Sequence, residues 1–291
     1  MGWVVAPMLL LVLAQAADQI DPKIYARLFV NNSPMFDRMS TAVLERLPTG
    51  GKVLDLASGP GEPSVTLATR DAKAQITCTD FQPGMIEKAQ IRASAAGVTN
   101  IGFDTTSADD LAKWNDNSFD AVTMSFGLMF VPDKAKCLYE IFRVLKPGGF
   151  AYVSVWKKLM FQTLAREVIE EVAGRTMPEF EINPLKLKED NAVEGLAIAA
   201  GLNVFSDERM MYPFKLGTST EAVDGLMILV GGMLKQLEAE DSTHGDATAK
   251  FYEIAEEKIQ KRGWKDGDEV TIPENHPQLL ILRKPLLVDE L

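Results

Sequence analysis

Two carboxylates and a run of small residues mark where this chain could do chemistry. Asp55 opens the segment Asp55-Leu56-Ala57-Ser58-Gly59-Pro60-Gly61, directly after the apolar Val53-Leu54, and Asp80 closes the run Ile76-Thr77-Cys78-Thr79. Small residues at Ala57, Gly59 and Gly61 let a backbone approach a ligand closely, because no side chain stands in the way. Asp80 lies 21 residues beyond Gly59. A strand-end carboxylate at that separation can accept both hydroxyls of a ribose. The chemistry implied is the binding of a nucleotide-like small molecule.

Such residues need strands that end together. The segment from Val53 reads as a buried strand entering a glycine-bearing turn, and Pro63 suits the first turn of a following helix. A second strand spans residues 74–79, a fourth runs from Phe119 to about Leu128, and Leu145-Lys146-Pro147-Gly148-Gly149 is a helix end and turn leading into residues 150–156. Strand and helix alternate over residues 50–156, as a right-handed parallel sheet demands. Further helices are expected over residues 159–173 and 192–200, a sixth strand over 203–215 and a seventh over 278–283. Between the last two strands, residues 217–263 return to helix, with Thr218-Ser219-Thr220-Glu221 as a capping box. The glycine pair Gly231-Gly232 inside it marks a kink, hinge or close contact.

A dinucleotide-binding turn shares this geometry, but three details favour S-adenosylmethionine. The turn reads Asp-x-Ala-x-Gly-x-Gly and does not continue as Gly-x-Gly-x-x-Gly. Asp55 sits where it can organise the turn and face the amino acid part of the ligand. The fourth strand and its exit, Phe119 to Leu128, are followed by the Leu145–Gly149 turn. With Phe126-Gly127-Leu128 before Val131-Pro132-Asp133-Lys134, then Arg143-Val144-Leu145-Lys146-Pro147-Gly148-Gly149, the chain resembles a class I S-adenosylmethionine-dependent methyltransferase. It is similar in particular to the ubiquinone/menaquinone-biosynthesis C-methyltransferase group and its small-molecule relatives. The resemblance covers about residues 50–157 and continues weakly to the C-terminus. Ala57 stands where the family's loop commonly has its first glycine. Ser107-Ala108-Asp109 stands where the family has Asp-Ala-Glu, so the adenine amino contact falls on Ser107 or moves to Asp109.

The expected fold is α/β, a Rossmann-like seven-stranded mostly parallel sheet with flanking helices and a helical lid inserted before the last strand. Residues 1–17 form an apolar N-terminal segment, 18–49 N-terminal helices, and 50–291 the methyltransferase domain, with 217–263 as lid. Two readings of the first segment stay open: a cleaved or organelle-targeting segment, or an uncleaved apolar helix on the protein or a membrane surface. The corresponding location is cytoplasmic or organellar. A length of 291 residues with 46% hydrophobic content can bury a sizeable core. A net charge of −11 with no long basic run offers little to a nucleic acid, which needs a positive face. Cys78 and Cys137 read as buried free thiols, and His244 and His276 have no metal-ligand spacing.

The cofactor set is Asp55, Ala57, Ser58, Gly59, Gly61, Asp80, Phe81, Met85, Ser107, Ala108, Asp109 and Ser125. Phe126, Met129, Phe130 and Met227 are the suggested acceptor lining. The resemblance implies methyl transfer to a small, largely apolar acceptor such as a quinol, phenol or isoprenoid. An amine, acid or protein side chain as acceptor, or a non-catalytic cofactor-binding protein on the same fold, remains the alternative. Tyr25, Asp37, Tyr212 and His244 are candidate bases, and the sequence does not decide among them.

Overall fold

A computed structural model describes residues 31–180, 183–240 and 246–286. The segment 1–17, the first of the expected N-terminal helices, Tyr25 and His244 lie outside the described residues.

In chain order the elements are α1 (Ser33–Leu44), β1 (Lys52–Asp55), α2 (Ser64–Arg70), β2 (Gln75–Asp80), α3 (Pro83–Ala95), β3 (Ile101–Thr105), β4 (Phe119–Ser125), α4 (Lys134–Val144), β5 (Leu145–Lys158), α5 (Met160–Ala173), α6 (Ala192–Ala199), β6 (Asn203–Arg209), β7 (Tyr212–Gly217), α7 (Ser219–Glu240), α8 (Ala247–Lys261), β8 (Lys265–Asp266) and β9 (Glu269–Arg283). The chain divides into two compact units, one built on residues 34–157, 184–210 and the strand from Pro277, the other on residues 158–183 and 211–276.

The first unit carries a seven-strand path in the order β3-β2-β1-β4-β5-β9-β6. β1 pairs in parallel with β2 and β4, β2 with β3, and β4 with β5, whereas β6 runs antiparallel to β9. The strands are near-continuous apolar runs because helices cover both faces of such a sheet. Val53, Leu54, Ile76, Cys78, Val122, Met124, Val153 and Val155 are all buried. Strand order reverses between β1 and β4, and in open α/β sheets a ligand crevice forms outside the carboxyl ends at that reversal. The expected seventh strand, residues 278–283, pairs with β6 from Gln278 to Arg283.

The sixth strand differs from expectation. Residues 203–215 form not one strand but two, β6 pairing with Gln278–Arg283 and β7 with the Val270–Asn275 stretch of β9. The break at Met210-Met211 faces Pro277, whose ring nitrogen has no N–H to continue a ladder; its carbonyl instead accepts from the Met210 N–H at 3.0 Å.

In the second unit α5, α7 and α8 pack against one another. α7 buries Ala222, Val223, Leu226, Val230, Leu234 and Leu237, a stripe at helical spacing, and α8 buries Phe251, Ala255 and Ile259. The capping box forms: the Thr218 N–H donates to Glu221 Oε2 at 2.8 Å and the Glu221 N–H to Thr218 Oγ1 at 3.3 Å. α7 runs unbroken through Gly231-Gly232, and a Cβ at either would meet nothing within 4 Å, so neither a break nor a close contact explains the pair.

Candidate cofactor site

The site is built at the carboxyl ends of β1, β2, β3 and β4. Asp55, the last residue of β1, is fully buried. Its Oδ2 accepts from the Ser64 hydroxyl at 2.6 Å and the Ser64 N–H at 3.2 Å, and its Oδ1 from the Thr123 hydroxyl at 2.7 Å. The carboxylate therefore ties the start of α2 and the middle of β4 to the turn. Burial pushes its pKa up to about 7 against these hydrogen bonds.

Ala57, Gly59 and Gly61 all have positive φ, at 50°, 53° and 98°. Ser58 lies beneath the turn: its hydroxyl is 2.9 Å from Cys78 Sγ and donates to the Thr79 carbonyl at 3.0 Å. Gly61 packs against α3, where an added Cβ would lie 3.0 Å from that of Ala89. Gly59 is the member that reaches the carboxylate of the next strand. Its N–H donates to Asp80 Oδ2 at 2.9 Å, while the Gln82 N–H donates to Oδ1 at 2.9 Å. Burial raises the Asp80 pKa, opposed by these backbone donors. A carboxylate offers about four acceptor sites, and these backbone donors leave part of that capacity open beside the turn. That acceptor fits the ribose hydroxyls of S-adenosylmethionine.

Around this carboxylate, Phe81 is half-buried and Met85 buried at the start of α3. The Thr106 N–H donates to the Asp80 carbonyl at 2.9 Å, which brings the β3 exit alongside. There the Ser107 hydroxyl donates to Asp109 Oδ1 at 2.5 Å, with Ala108 buried between them. The two alternatives for the adenine contact are thus one hydrogen-bonded pair.

The β4 exit is strained in the same way as the β1 exit. Phe126 has φ +54°, so Ala57 and Phe126 are both left-handed non-glycine residues, a conformation costing about 1–2 kcal/mol each. Gly127 follows because nothing larger fits: a Cβ there would stand 2.6 Å from that of Ala57 and 3.2 Å from Met124 Cε. Gly127→Ala should therefore cost about 1–3 kcal/mol by overpacking, and Ala57→Gly should recover most of the loss. Urea unfolding of the two single variants and the double variant checks this; an interaction energy near zero would show that the exits do not meet.

The remaining predicted residues divide by exposure. Ser125 is buried, its hydroxyl 3.0 Å from that of Ser154. Phe126 and Phe130 are half-buried, whereas Met129 is fully enclosed and has no surface to offer an acceptor. Met227 is half-buried on α7 of the second unit. Of the candidate bases, Asp37 is exposed on α1, and burial pushes the Tyr212 phenol up, so it keeps its proton. Sequence reasoning missed Ser64, Thr123 and Ser154. Thr123, a hydroxyl inside an apolar strand, was the readable signal among them. Among the described residues no group of three His, Cys, Asp or Glu side chains could hold a metal, and no helix is long and apolar enough to cross a membrane.

A parallel sheet with a small-residue turn after β1 and a buried carboxylate ending β2 fits the fold of S-adenosylmethionine-dependent methyltransferases. The profile of the ubiE/COQ5 methyltransferase family matches residues 36–181. The chain belongs to that family.

Relatives include the ubiquinone/menaquinone biosynthesis C-methyltransferase UbiE of Hydrogenovibrio crunogenus, 38% identical over 125 residues, 42% of this chain and 49% of the relative. A demethylmenaquinone methyltransferase of Clavibacter sepedonicus is 41% identical over 122 residues, 42% of this chain and 47% of the relative. The chain thus spans about half the length of the curated relatives it matches. Among solved structures, the [4+2]-cyclase SpnF aligns with a TM-score of 0.52 at 22% identity over 86% of this chain and 81% of that one. A protein of echinomycin biosynthesis, where a disulfide becomes a thioacetal, aligns with a TM-score of 0.54 at 18% identity over 88% and 83%. These likenesses concern the fold alone.

Proposed function

We propose that this protein transfers a methyl group from S-adenosylmethionine to a small, largely apolar acceptor of the quinol, phenol or isoprenoid kind. The observation that carries the reading is the Asp80 carboxylate, held at the end of β2 by the Gly59 and Gln82 N–H groups. S-adenosylmethionine supplies an already activated sulfonium methyl. Asp80 would accept the ribose hydroxyls, Phe81 and Met85 would border the adenine, and Ser107 with Asp109 would meet its amino group. The turn Ala57–Gly61 would hold the amino acid part, with Asp55 acting from beneath through Ser64. The protein's task is then to place the acceptor nucleophile in line at near-attack distance and to exclude water.

The acceptor class rests on family membership and on the half-buried rings Phe126 and Phe130 at the β4 exit. Relatives named for quinone biosynthesis support it. A labelled-methyl transfer screen against quinols, phenols, sterols, amines and carboxylic acids tests it. Label on quinols or phenols is expected; label on amines or a protein side chain alone would replace this reading with the alternative acceptor class. Cofactor binding without transfer to any class would favour a non-catalytic binding protein.

Residues 217–263 are proposed to determine the acceptor. They fall within the second unit, and the cofactor residues from Asp55 to Ser125 all fall within the first. Replacing 217–263 by a short linker should leave cofactor affinity within about threefold, since no residue of the cradle is removed, while abolishing turnover. Full turnover in the folded deletion would move the acceptor contacts elsewhere.

A further inference from the structure

We propose that Trp156 is a positioning residue that holds Phe126 as a flat platform for a planar methyl acceptor, a role that rests on the methyl-transfer reading above. The rings of Phe126 and Trp156 stack with centroids 4.4 Å apart and an interplanar angle of 7°. Trp156 is only 5% exposed, so its ring is committed to the interior, while Phe126 remains half-buried with surface to spare. The backbone of Phe126 is pinned from the same strand. Its N–H donates to Ser154 Oγ at 3.0 Å and to the Ser154 carbonyl at 3.1 Å.

This combination is more than a core contact. A bulky residue at φ +54° is an outlier that persists only when its surroundings over-determine it, and such residues gather at functional sites. Here the surroundings are identifiable: the Phe126 N–H, shared between two oxygens of Ser154, and one indole face. The residue next in sequence, Gly127, touches the cofactor turn through Ala57, as the 2.6 Å separation from a Cβ built there shows. Phe126 is thus one residue from the contact with the turn that would hold the methyl donor. An aromatic ring prefers offset or edge contact with a second ring, so a planar acceptor laid against Phe126 would be held in a defined plane next to the donor. Trp156 fixes that plane without reaching the acceptor.

The test uses the full chain saturated with S-adenosylhomocysteine and, as probe, 2,3-dimethyl-1,4-naphthoquinone, whose blocked ring carbons do not add thiols. Equilibrium dialysis should show saturable probe binding that weakens about tenfold in Trp156→Leu and in Phe126→Leu, the size of one lost aromatic contact. Trp156→Phe keeps a flat ring and should restore affinity to within about threefold. Calorimetry with S-adenosylhomocysteine should give the same affinity in all these variants, which also reports that each is folded. Unchanged probe affinity in Trp156→Leu would overturn the proposal. So would equal losses in Trp156→Leu and Trp156→Phe, or a parallel fall in S-adenosylhomocysteine affinity, since either marks a merely structural role. Failure of the wild-type chain to bind S-adenosylhomocysteine would instead overturn the methyl-transfer reading itself.

Discussion

Asp80→Ala should bind S-adenosylhomocysteine at least about 100-fold more weakly than the wild-type chain, because two hydrogen bonds to a charged acceptor are lost at about 1.5–3 kcal/mol each. The loss has a second source in the protein itself. The Gly59 and Gln82 N–H groups, both held by this carboxylate at 2.9 Å, would be left without it, and the turn would lose its register against β2. Asp80→Asn keeps one oxygen for a backbone donor and should fall between, about tenfold down. Calorimetry on variants shown to be folded by their unfolding transitions makes the measurement. An unchanged affinity in Asp80→Ala would remove Asp80 from the site and leave the turn without its ribose acceptor.

The second large effect concerns stability rather than binding. The Asp55 carboxyl has its pKa raised to about 7 in the folded chain by burial, against about 3.9 when unfolded. Between those values the folded chain holds a proton that the unfolded chain has shed, so stability falls as pH rises. It is highest below about pH 4 and is lost through about pH 7, at about 1.4 kcal/mol per pH unit. Over the soluble part of that window, above a pI of about 4.8, urea unfolding from about pH 5.5 to pH 7 should show a loss of about 2 kcal/mol. Asp55→Asn removes the ionisation while keeping an oxygen for Ser64 and an amide donor for the Thr123 hydroxyl. The variant should be more stable than wild type at pH 8, with a ceiling of about 4 kcal/mol, and its slope over the window should flatten. A wild-type slope that persists in Asp55→Asn would assign the pH dependence to another group.

Much of the site was legible from local signals. The turn after β1 and the carboxylate after β2 are each set by neighbours in sequence: an apolar run, a residue without a bulky side chain, an acid at the strand end. Alternating apolar strands and amphipathic helices determined a parallel sheet, and the Thr218–Glu221 box marked the helix that the structure places at Ser219. The division of residues 203–215 was not legible, because nothing in that run announces that its partner strand changes at Pro277. Strand pairing is a property of both partners, and β9 lies some sixty residues further on.

The amino-acid sequence by itself determined the family, the small-residue turn after β1 and the acid ending β2, because each rests on short-range spacing and backbone preference. Tertiary structure alone decided what those residues do to one another. Asp55 proved to be buried and bonded to Ser64 and Thr123, 9 and 68 residues away. Gly127 is small because Ala57, brought beside it by the pairing of β1 with β4, already fills the space. Phe126 stacks on Trp156 because Ser125 and Ser154 share a register across two parallel strands. Contacts across a parallel sheet join residues separated by a whole crossover, and no local pattern carries their distance.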